Sequence, residues 1–87
     1  MNQPTIEQLL IKADKKLLVF EIEALQNLKK ELAVLFTRQL NKLRGLGGSE
    51  SQLSELKNVY TVEVREISSK IFEAHKKLSL LANKFPN

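Results

Sequence analysis

His75 is the one histidine of the chain, and it stands in "EAHKK" between Ala74 and the lysines at 76 and 77. An imidazole becomes a base or a metal ligand when a second donor or an orienting carboxylate is held beside it. Cysteine is absent, and Glu73 lies two residues before His75, not three as in the Glu-x-x-His pairs that hold di-iron centres in helical bundles. The glycines at 45, 47 and 48 in "RGLGGSES" lack the following lysine of a phosphate-binding loop, and an apolar helical pattern, not a strand, precedes them. No nucleophile–base pair can be assembled. The expectation is therefore a protein that is not an enzyme and takes no metal, cofactor or small-molecule substrate.

Lysine offers a different chemistry. Lys12, Lys15 and Lys16 lie near one end of the chain and Lys76, Lys77 and Lys84 near the other. If the chain folds back on itself, all six gather at one tip, where they could contact phosphates of a nucleic acid or an anionic membrane. Glu7 and Asp14 dilute that patch, arginine occurs only at 38, 44 and 65, and the net charge is a mild +4. The aromatic residues Phe20, Phe36, Tyr60, Phe72 and Phe85 are spaced for helix packing, not for stacking on bases. A basic oligomer that binds anions is thus the alternative reading, behind solvated helix surface.

The elements that carry these residues are punctuated clearly. Prolines occur only at 4 and 86, and no glycine interrupts the chain outside 45–48. "TIEQ" and "SESQ" each place a hydroxyl three residues before a glutamine, the reciprocal capping box of a helix start, at Thr5 and Ser49. Gly45 is expected as the left-handed residue ending the first helix, with Leu46 folding back onto Leu40. Arg38, Lys42 and Arg44 suit the negative end of the helix dipole. The prediction is an all-α chain, one antiparallel two-helix hairpin over 1–87. Helix 1 covers about 5–44, the turn 45–48 and helix 2 about 49–84.

Helix 2 has one plain stripe. Leu53, Tyr60, Ile67, Ala74 and Leu81 recur every seven residues, with Val64, Ile71, Leu78 and Phe85 four residues later. Lys57 interrupts the second series, and Leu56 covers for it. Helix 1 is broader. Ile6, Leu10, Ala13, Leu17, Phe20 and Ala24 keep a 4-3 spacing that continues by fours through Leu28 and Leu32 to Leu35, and this series is expected to face helix 2. Leu18, Ile22, Leu25, Val34 and Phe36 then widen the apolar surface beyond one seam, and Val59, Val62 and Phe72 flank the seam of helix 2. A fold-back at Gly47–Gly48 makes neighbours of residues whose numbers add to about 95. Arg38 then approaches Glu55, Lys29 and Lys30 approach Glu63 and Glu66, and Glu23 approaches Lys70.

Two helices make a single contact line, too little for a chain this short to bury enough surface against its entropy. The surplus apolar residues, Leu18, Ile22, Leu25, Val34, Phe36, Val59, Val62 and Phe72, are therefore expected to form a protein interface. The predicted partner is a second copy, giving a homodimeric four-helix bundle, or another helical protein. An assembly factor, co-chaperone or regulatory adaptor would suit that surface. Charges at 21, 23 and 29–31 break the most apolar window, so no membrane span is expected. "MNQPTIEQLL" lacks the layout of a signal peptide, and the absence of cysteine fits a reducing compartment, so the cytoplasm is the expected location.

Overall fold

Helix formation begins where the capping boxes place it. In the computed structural model, which describes residues 5–84, the Thr5 hydroxyl accepts from the Gln8 amide at 3.1 Å. The Thr5 amide donates to the Gln8 side-chain oxygen at 3.0 Å. Ser49 and Gln52 repeat this at 3.2 and 2.9 Å. Helix α1 spans Ile6–Gly45 and α2 spans Glu50–Lys84, and the two pack along their length as a hairpin. Two helices of 40 and 35 residues laid side by side give a rod of 70 × 16 × 15 Å.

The bend corrects one expectation. Gly45 is the last residue of α1, and Gly47, with φ +80°, takes the left-handed position. The Gly48 amide donates to the Leu43 carbonyl at 2.9 Å and the Gly47 amide to the Arg44 carbonyl at 3.0 Å. This pair of bonds is the Schellman closure, which satisfies carbonyls that the helix end would leave bare. The helix runs two residues further than Gly45 could allow as its left-handed terminator. Leu46 therefore projects outward at 76% exposure, not onto Leu40.

The seam of α2 follows its heptads. Leu53, Leu56, Tyr60, Val64, Ile67, Ile71, Ala74, Leu78 and Leu81 are all buried or half-buried, with Leu56 standing in for the exposed Lys57. Phe85 lies outside the described residues. In α1 the inward residues are Ile11, Lys15, Leu18, Ile22, Leu25, Leu32, Ala33, Phe36, Leu40 and Leu43. Apart from Leu32, which belongs to the 4-3 series, that is the other stripe from the one the series picked out. Leu10, Leu17, Phe20, Leu28 and Leu35 stand in solvent instead.

The reason lies at the bend. Continued past Leu35, the 4-3 series reaches Arg38 and Lys42, whereas the inner stripe keeps Leu40 and Leu43 in the last turns, where the helices are tied together. A seam that must stay apolar up to a closed end takes the stripe that is apolar there. The register agrees with the fold-back at Gly47–Gly48: Phe36 stacks on Tyr60 with centroids 4.3 Å apart and planes at 14°. The charges juxtaposed by this register, such as Arg38 with Glu55 and Glu23 with Lys70, remain exposed. Among the described residues none of these pairs closes into an ion pair.

Candidate protein-interaction face

The inner stripe leaves α1 with a second apolar surface. At about 100° per residue, Ile6, Leu10, Ala13, Leu17, Phe20, Ala24, Leu28 and Leu35 line up roughly 125° around the helix from the seam. Ile6 is 78% exposed, Leu17 63% and Phe20 61%. The stripe extends from the first turn of α1 to Leu35 over about 44 Å at 1.5 Å per residue. Glu31 is the polar interruption. Isolated exposed leucines are ordinary, but a contiguous row of this length on a small chain is not.

α2 borders the row on one side. Leu17 and Leu18 of α1 and Leu80 and Leu81 of α2 line a shallow groove rimmed by Asp14, Glu21 and Lys77. Toward the bend a second groove runs between Leu43 and Leu46 on one side and Leu56 and Val59 on the other. On the outer side of α1, Val34 and Leu35 form an apolar hollow between Lys30 and Glu31.

Of the interface residues read from the sequence, four turn inward. Ile22 is buried between the helices at 6% exposure, and Leu18, Leu25 and Phe36 are half-buried in the same seam. The helical phase that points Ile11 and Ile22 at α2 carries these residues with it, so the hairpin uses them first. Val34, Val59, Val62 and Phe72 are exposed. Val62 and Phe72 lie apart on α2, and Val59 borders the groove near the bend. Of the five α1 residues in that set, the hairpin seam takes Leu18, Ile22, Leu25 and Phe36 and leaves Val34 outside.

The lysines are divided among different surroundings. Lys12, Lys16, Lys76 and Lys77 are exposed, but Lys15 is half-buried in the seam. Lys77 shares its grooves with Asp14, Glu21 and Glu73. The side chain of Lys84 lies outside the described residues. Acidic side chains therefore stand among the lysines on this surface. His75 is exposed, and among the described residues no group of three or more histidines or acids comes together as a metal site would require. No described helix is long and apolar enough to cross a membrane.

Set against known proteins, the chain matches no family model, no curated protein and no solved structure. Its surface chemistry is what bears on its role.

Proposed function

We propose that this chain is a non-enzymatic helical interaction module, of the assembly-factor, co-chaperone or regulatory-adaptor kind, that works by packing the outer stripe of α1 against another helix. The observation that carries this reading is the stripe itself. Leu10, Leu17, Phe20, Leu28 and Leu35 are each about half or more exposed on a hairpin whose buried core is Ile11, Ile22, Ile67 and Ala74. More apolar side chain faces out of α1 than into it. Water contact with such a row is costly, at about 25 cal/mol per Å² of apolar surface, and covering it is the available gain.

A photo-crosslinking residue placed in the full chain tests this in cells. At Leu17 or Leu28 it is expected to yield a protein adduct of one reproducible mass, and at Lys12 or Lys30, on the polar side of α1, none. Adducts of equal yield at all four positions, or none at Leu17 and Leu28, would remove the reading. A nucleic-acid adduct at Lys12 would favour the anion-binding alternative.

A further inference from the structure

We infer that the occupant of the outer stripe is a second copy of this chain, bound antiparallel, α1 against α1, about a two-fold axis close to Phe20. This rests on the proposed interaction face and names its partner. Surface area supplies the first argument. The chain exposes 7116 Å², whereas a compact monomer of its mass exposes about 5,200 Å². A stable interface takes about 800 Å² from each partner, so the elongated hairpin has more than enough surface to cover.

The order of large and small residues along the stripe supplies the second argument. With the axis near Phe20, Leu28 of one copy falls opposite Ala13 of the other, Leu17 opposite Ala24, and Ile6 opposite Leu35. The two Phe20 rings meet beside the axis. In the layers on either side of the Phe20 pair a small residue thus faces a large one, Ala24 facing Leu17 and Ala13 facing Leu28, so that the two alanines leave no gap. A parallel pairing sets Ala13 on Ala13 and Ala24 on Ala24, leaving gaps, and crowds Leu17 and Phe20 against their own copies. Glu31, the polar member of the stripe, falls opposite Leu10 near the ends of the contact, where its carboxylate reaches water. On the flanks, Lys16 comes within a turn of Glu23 of the other copy, whereas the Glu21 carboxylates of the two copies meet beside the axis, so the register rests on the packing and not on charge.

The absence of cysteine makes the test clean. Single cysteines are introduced into the full chain, and dimers are counted on non-reducing gels after mild oxidation. Phe20→Cys is expected to crosslink to itself. Ala13→Cys alone and Leu28→Cys alone are expected to stay uncrosslinked, while an equimolar mixture of those two gives a disulfide-linked pair. The mixture keeps the Phe20 ring, so the result does not depend on whether Phe20→Cys weakens the dimer. Self-crosslinking of Ala13→Cys, which reports a parallel pair, would overturn the inference. Failure of the mixed pair to crosslink would overturn it as well. If the chain is monomeric yet Leu17 still gives an adduct with a different protein, this inference falls and the interaction face stands.

Discussion

Three glycines within four positions stand in three different settings at the bend. Gly45 ends α1 in helical conformation, and a Cβ there would meet nothing within 4 Å. Gly47 holds φ +80°, a conformation costly for a residue with a side chain. At Gly48 a Cβ would lie 2.5 Å from Leu43 Cγ and 3.0 Å from the Leu43 carbonyl oxygen. Opposite signs are therefore expected from one substitution. Gly45→Ala should stabilise the chain by about 0.5–1 kcal/mol, as alanine does in a helix interior, and Gly47→Ala should destabilise it by about 1 kcal/mol or more. Urea unfolding of both variants at one fixed protein concentration checks this; equal effects would place the left-handed residue elsewhere. The cluster was legible in the sequence as a bend. Its internal division was not, because every glycine permits the left-handed conformation. The hydrogen bonds to the Leu43 and Arg44 carbonyls select the one that adopts it.

Between the helices, the question is which stripe of α1 faces α2. α2 has a single continuous stripe, so its heptads gave its buried residues directly, from Leu53 to Leu81. α1 has two, and periodicity alone does not rank them: Leu17 and Phe20 are as apolar as Leu18 and Ile22. The deciding difference sits at the bend, in Leu40 and Leu43 against Arg38 and Lys42, a long way from where the stripes look alike. The two stripes should respond differently to truncation. Ile22→Ala is expected to cost about 2–4 kcal/mol at any protein concentration, since it opens space within the hairpin. Leu17→Ala should leave the separate hairpin close to its original stability and lower the unfolding temperature only where association contributes. Thermal unfolding followed by circular dichroism at low and high protein concentration separates them. A concentration-independent loss at Leu17 equal to that at Ile22 would argue that the 4-3 series lies inside after all.

For the whole molecule, shape is the governing fact. A radius of gyration of 19.8 Å compares with about 12 Å for a compact chain of this length, and no described side chain larger than a methyl is sealed from water as completely as Ala74. Such a rod has little interior, and the outer stripe of α1 adds nothing to it. Charge sets a further condition. Each copy carries +4, so salt screens the repulsion between copies. Association through apolar faces should therefore persist or strengthen as salt rises, whereas binding of phosphates through the lysines would weaken. The hairpin was legible from its caps, its glycines and the α2 heptads. The exposed apolar stripe was legible only as an excess, because its position depended on which α1 stripe the bend consumed.

The most direct measurement is the solution mass by light scattering coupled to size exclusion, over about 1 to 100 µM protein, with helicity recorded alongside. The expected result is a species of twice the 9.9 kDa chain mass that is maintained in high salt and lost in Leu17→Glu/Leu28→Glu. A fully helical monomer of 9.9 kDa across that range would contradict it.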